Sequence, residues 1–236
     1  MGGNFVIAGG SKGIGLELVR SLVPDADRID VLSRSVDELD VDDRIRHQSV
    51  DFSQDAAGIG ELPDAIHGVA YCPGTINLRS FRSLKLDDFR RDLEVNLIGA
   101  IRLLQACHAG LRKGGAEQSA SVVLFSTVAV AQGMAMHASV AAAKGAIEGL
   151  TRSIAAEWAP NIRVNCLAPA LTETPLASRF LSTPENRQAM AAKYPLKRTG
   201  TPKDLAEIAR FLLLPAASWI TGQVIGVDGG MSTLRA

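Results

Sequence analysis

"FVIAGGSKGIGLELVR", residues 5–20, is the stretch whose reading decides the fold. It opens on a short continuous apolar run, "FVIA", the composition of a strand buried on both faces. It ends in Ile14–Leu22, where apolar residues recur at helical spacing. Between the two lies a glycine cluster. Gly9, Gly13 and Gly15 permit a tight turn and let the backbone approach a pyrophosphate closely, and the N-terminus of the following helix favours that anion. Glycine clusters mark many ordinary turns. Its place directly after a strand and at the start of a helix is what gives this one meaning.

The same alternation runs through the chain. Strands are predicted at 4–9, 28–33, 44–51, 67–72, 120–126, 162–168 and 222–228, and helices at Ile14–Leu22, Asp87–Leu111, Ala138–Trp158 and Lys203–Leu214. Short apolar runs alternating with longer helical patterns imply an α/β fold: a doubly wound, parallel, seven-stranded Rossmann-like sheet with helices on both faces. No internal repeat or low-complexity tract divides it, so residues 1–236 are expected to form one dinucleotide-binding and catalytic domain. The longest irregular stretch, about 171–200, is broken by Pro175, Pro184 and Pro195, and is expected to be a substrate lid.

Composition narrows the function classes. Lysine plus arginine equals aspartate plus glutamate at 25 each, and no basic block points to nucleic acid. The longest apolar runs, such as "FLLL" at 211–214, are too short to span a bilayer. The N-terminus has neither a signal-peptide pattern nor the Ser/Thr at position 6 that myristoylation requires. Cys72, Cys107 and Cys166 are odd in number and widely spaced, which fits reduced thiols in the cytoplasm. No zinc-ligand spacing occurs, so no metal is expected.

Taken in order, five elements resemble the short-chain dehydrogenase/reductase family over essentially the whole chain. They are Gly9-x-x-x-Gly13-x-Gly15, "LEVNLIGA" (93–100), "VVLFST" (122–127), "IRVNCLAPALTET" (162–174) and "WITGQVIGVDGG" (219–230). The resemblance implies a nicotinamide-dependent oxidoreductase acting on a small molecule. It maps an active-site asparagine to Asn96, the catalytic serine position to Thr127, and the lysine of a Tyr-x-x-x-Lys element to Lys144. It also implies a cofactor-binding set: Gly9, Ser11, Lys12, Gly13, Ile14 and Gly15 in the first loop; Ser33, Arg34, Asp51 and Phe52 around the adenosine; Cys72, Pro73 and Gly74; then Lys144, Pro169, Leu171 and Thr174. A homo-oligomer, dimer or tetramer, is implied as well. The small residues Ala141, Ala142, Gly145 and Gly149 permit close helix packing, within one chain or between copies.

Charge indicates which nicotinamide. A carboxylate ending the second strand would hold the adenosine ribose and repel a 2′-phosphate, whereas Ser33 does neither. Arg34 and Lys12 bring two cations to that corner, which favours NADP(H).

Four places depart from the family pattern: Ala8 for threonine, "YCPG" (71–74) for Asn-Asn-Ala-Gly, which rebuilds the loop near the cofactor ribose, Thr127 for serine, and Ala170 for glycine. The fifth departure is chemical. Val140 stands where the tyrosine should be, and valine can neither donate a proton nor hydrogen-bond the alkoxide that a reduced ketone becomes. His137 lies three residues before it, on the same helical stripe if the helix extends that far, and imidazole titrates near neutrality. Histidines at helix starts also often face solvent or cap the backbone. Ser139 points about 100° away; Tyr71 reads as packing, and Tyr194 would arrive only with the lid. A protonated imine substrate would lessen the need for an acid. The expected function is therefore NADP(H)-dependent reduction of a carbonyl or imine with a non-standard proton donor. The alternatives are an NADP(H)-binding protein without redox turnover, and lyase or isomerase chemistry on the same scaffold.

Overall fold

The structure is a computed structural model and describes residues 2–36, 38–54, 58–116 and 118–234. Seven strands form one sheet: β1 (Gly3–Ala8), β2 (Ala26–Ser33), β3 (Ile45–Ser49), β4 (Gly68–Tyr71), β5 (Ala120–Phe125), β6 (Ile162–Pro169) and β7 (Val224–Val227). Their order is β3-β2-β1-β4-β5-β6-β7 and every neighbouring pair is parallel. The helices are α1 (Gly13–Leu22), α2 (Leu86–Leu93), α3 (Gly99–Gly114), α4 (Val128–Gln132), α5 (Ala138–Trp158), α6 (Pro184–Ala191) and α7 (Pro202–Leu213).

Side chains alternate across each strand, so each strand supplies two cores. Phe5 and Ile7 pack with Leu18 and Leu22 of α1 and Leu205 and Leu212 of α7. Val6 and Ala8 pack on the other face with Leu103 and Leu111 of α3 and Ile147 of α5. The predicted doubly wound sheet is therefore present, with each strand within a few residues of its expected place.

Two expectations need correction. The helix expected over Asp87–Leu111 is interrupted: α2 and α3 are joined by a π-helical turn at Glu94–Ile98. The stretch read as irregular, about 171–200, contains a 3₁₀ turn at Pro175–Phe180 and the helix α6. Pro184 was read as an interruption, but it opens α6. Thr183 caps that helix by accepting from the Asn186 N–H at 3.2 Å, and proline in the first turn lacks only a donor that the helix does not use.

All strands point the same way, so their C-terminal ends share one edge. From β1 the chain moves outward to β2 and β3, then returns to β4 on β1's other side. The loops after β1 and β4 consequently diverge and leave a crevice, the usual ligand position in open α/β sheets.

Far from that crevice, Arg163 of β6 is 4% exposed and its guanidinium donates to three carbonyls. These are Leu212 at 2.9 Å and Leu214 at 3.2 Å, at the end of α7, and Ile220 at 3.3 Å. Arg163→Met should remove these three charge-assisted hydrogen bonds, leaving the carbonyls their second donors Ser121, Ala217 and Asn165, and lower unfolding free energy by about 1.5–3 kcal/mol, read as a lower urea midpoint at unchanged slope.

Candidate active site

The glycine turn follows directly from its residues. Gly9 adopts φ +71°, a left-handed conformation natural to glycine. A Cβ at Gly15 would overlap the Gly9 carbonyl oxygen, so only glycine allows the loop to fold back on the first turn of α1. Lys12 is the N-cap of α1; its side chain makes no capping hydrogen bond and the first turn of the helix carries no acid. Thr174 lies beside that turn, its Cγ2 3.3 Å from where a Gly13 Cβ would stand. Backbone bonds from Gly9 N–H to Leu32 O (2.8 Å) and Cys72 N–H to Ala8 O (3.0 Å) tie this turn to both neighbouring strands.

At the end of β2, Ser33 donates to the Ser35 carbonyl at 2.8 Å and lies 3.0 Å from His47 Nε2. Arg34 and Lys12 are exposed, whereas Ser11 is buried. Asp51 is held below the usual carboxylate range by the Ser53 N–H (2.9 Å) and hydroxyl (2.7 Å). Phe52 is buried, its ring edge-on to Tyr71 with centroids 5.3 Å apart.

A cavity of about 450 Å³ opens beyond the ends of β4, β5 and β6. It gathers Ile14, Cys72, Gly74, Thr127, His137, Lys144, Pro169, Leu171 and Thr174 from the predicted set, together with Val140. Lys144, 6% exposed, donates from Nζ to the Phe125 carbonyl at 2.8 Å. Burial depresses its pKa to about 8. Asn96 is fully buried behind the loop. A Cβ at Gly74 would stand 3.3 Å from Asn96 Oδ1 and 3.5 Å from Lys144 Nζ, which places both polar groups beside one bare backbone position.

Two residues holding Asn96 were not foreseen. Asn96 Nδ2 donates to Thr75 Oγ1 (2.8 Å) and to the Asp92 carbonyl (2.7 Å), while Thr75 Oγ1 donates to Asp92 Oδ1 (2.7 Å). Asp92 lies one turn before Asn96, a spacing that flags it; Thr75 arrives from a distant loop with no sequence signal.

Thr127 caps α4, its Oγ1 accepting from the Ala129 N–H at 3.3 Å, and among the described residues its hydroxyl hydrogen meets no acceptor. The helix α5 does not extend to His137, which is its N-cap instead. His137 still reaches the cavity wall, because Met136 adopts φ +67° in the turn before it. Its Nδ1 lies 2.7 Å from the Ala135 carbonyl. A carbonyl only accepts, so Nδ1 carries the hydrogen and Nε2 is the nitrogen left for the cavity. Tyr194, whose arrival was expected only with a lid, is already in the wall, its hydroxyl accepting from the Leu171 N–H at 3.3 Å. Tyr71 points away from the cavity into the core.

The remaining lining is mostly apolar, including Ile76, Leu78, Met134, Leu176, Phe180 and Met231, with Thr75, Ser126, Thr172 and Lys193 among it. Among the described residues, no cluster of His, Cys, Asp or Glu is placed to hold a metal ion, and no helix is long and apolar enough to cross a membrane.

Comparison with known proteins agrees with this geometry. Residues 17–232 match the family model described as "Enoyl-(Acyl carrier protein) reductase". A tropinone reductase homolog of Arabidopsis thaliana is 32% identical, covering 98% of this chain and 92% of its own length. A tropinone reductase homolog of Datura stramonium is 29% identical over 95% of this chain and 90% of its own. Among solved structures, a short-chain type dehydrogenase/reductase from Mycobacterium ulcerans superposes with a TM-score of 0.83 at 27% identity, covering 99% of this chain and 90% of that one.

The buried lysine has a consequence for stability. Folding lowers its pKa from 10.5 to about 8, so between those values the unfolded chain binds more protons and stability rises with pH. Urea unfolding at pH 7 and pH 10 should show this increment in the wild-type chain relative to Lys144→Met, which lacks the titrating group; equal pH dependence in the two would contradict it.

Proposed function

We propose, from the premise that this chain belongs to the short-chain dehydrogenase/reductase family, that it is an NADP(H)-dependent oxidoreductase. It reduces a carbonyl or imine of an apolar small molecule with a proton donor other than the usual tyrosine. The observation that carries this reading is the convergence of Thr127, His137 and Lys144 on one apolar cavity, with Asn96 directly behind it and Val140 in its wall. Further residues along the same edge of the sheet fit the expected cofactor. The Gly9–Gly15 turn, the uncapped N-terminus of α1 and Thr174 fit a diphosphate. Arg34 and Lys12 suit a 2′-phosphate, while Ser33 offers no carboxylate to repel one. Lys144 fits the nicotinamide ribose, and the Pro169–Leu171 backbone fits the ring.

When bound, the cofactor supplies the hydride. The chain must then meet the negative charge that grows on the substrate oxygen. Thr127 meets part of it with a hydroxyl hydrogen bond. His137, protonated on Nε2, donates the proton, and its Nδ1 bond to Ala135 fixes the ring for that role. Val140 contributes only apolar surface. Residues 171–200 cover the substrate as a lid, and the chain assembles as a dimer or tetramer in the cytoplasm. At Gly149 on α5 no described residue outside the adjoining helix backbone lies within 4 Å of a would-be Cβ, leaving room for another copy.

A second reading, NADP(H) binding without turnover, is favoured by Val140 and by Pro73, which brings no N–H to the loop beside Gly9.

Fluorescence titration should give tighter binding of NADPH than NADH, with Arg34→Ala weakening NADPH alone by ~10–100-fold. Over a panel of apolar ketones and imines, His137→Ala should lower kcat by ~10²–10⁴-fold with little change in cofactor affinity. Turnover that appears only in Val140→Tyr identifies a silent binder instead.

A further inference from the structure

The π-helical turn that interrupts α2 and α3 has an identifiable cause. In an α-helix the Gly99 N–H would bond to the Val95 carbonyl, four residues back. Here it bonds to Glu94, five residues back. The Val95 carbonyl is occupied from outside the helix by the Tyr71 hydroxyl, which donates to it at 2.5 Å. Tyr71 sits at the end of β4, 2% exposed, with its ring wedged edge-on against Phe52. Helix and tyrosine are fitted to each other: a Cβ at Gly99 would overlap the Tyr71 hydroxyl and stand 3.0 Å from Phe52 Cβ. Burial pushes the phenol pKa up, so it remains a donor throughout the working pH range.

The slip matters because Asn96 lies inside it. One residue of register is about 100° of rotation around a helix. With the extra residue accommodated, the Asn96 side chain reaches Thr75 and the Gly74 position beside Lys144. With the regular ladder restored, it would be rotated out of that contact. We propose that Tyr71 is a positioning residue that acts through Asn96: by occupying the Val95 carbonyl it holds the π turn that seats the asparagine against Thr75, beside the Gly74 backbone that Lys144 also adjoins. The catalytic half of this inference rests on the reading of Asn96 as part of the reaction; the structural half does not.

The experiment uses the full chain. In the unaltered protein, NMR couplings across hydrogen bonds should pair the Gly99 amide with the Glu94 carbonyl; a pairing with Val95 overturns the proposal without any variant. In Tyr71→Phe, which keeps the ring and removes only the hydroxyl, the Gly99 amide should switch to Val95 and the Asn96 side-chain amide signals should move. Turnover should fall by ~10–100-fold, the scale of a small misplacement of an active-site group, with NADPH affinity changed less than about twofold. In an Asn96→Ala background the same substitution should change kcat by less than about twofold, whereas a loss of the same size there means that Tyr71 does not act through Asn96. If no substrate turns over, the proposed reaction fails while the two NMR outcomes still decide the structural claim. An unchanged Gly99 partner in Tyr71→Phe sinks it.

Discussion

A parallel sheet covered on both faces exposes mainly the ends of its central strands, and the position of the candidate site follows from that constraint. The side chains of β1 are consumed by two cores, Phe5 and Ile7 on one face and Val6 and Ala8 on the other. The central strands β4 and β5 are buried along their whole length. Because the strands are parallel, their C-terminal loops gather along one edge, and because the strand order reverses between β1 and β4, those loops part there. The glycine turn, the Cys72–Gly74 loop, Thr127 and Pro169 all leave strands at that edge. Lys144 reaches it from α5 by hanging its ammonium on the Phe125 carbonyl.

The electrostatics of the site follow from the same burial. Lys144 sits among groups that offer little compensation. Cys72 and Cys166 are pushed up to about 12 by burial and stay neutral thiols near pH 7. The buried carboxylate of Asp92 is the anion that favours the ammonium, and it is itself engaged by Thr75. Val140 adds apolar surface to the cavity wall, and His137 stands in the same wall, held by a turn that no regular helix would produce.

Much of this was legible in the chain itself. The periodicities of "FVIA" and of Ala138–Trp158 carry the elements, since burial on two faces demands continuous apolar runs and helices demand spaced ones. The glycine spacing announced the turn, because only glycine tolerates both the φ of Gly9 and the contact at Gly15. Helix α6 was less legible: its mean composition is polar, and Pro184 reads as a breaker until Thr183 is seen capping the helix it opens.

What the sequence by itself determined was the alternation of elements, the glycine turn and the residue types available to the site, all of which depend on neighbours within a few positions. The tertiary structure alone decided the register of the α2–α3 join, the grip of Thr75 on Asn96, and the entry of Tyr194 into the cavity wall. Each depends on a contact between groups more than 20 residues apart: Tyr71 with Val95, Thr75 with Asn96, and Leu171 with Tyr194. No local pattern encodes such a meeting. A hydrogen bond across that separation exists only once the sheet has set the distance between its partners.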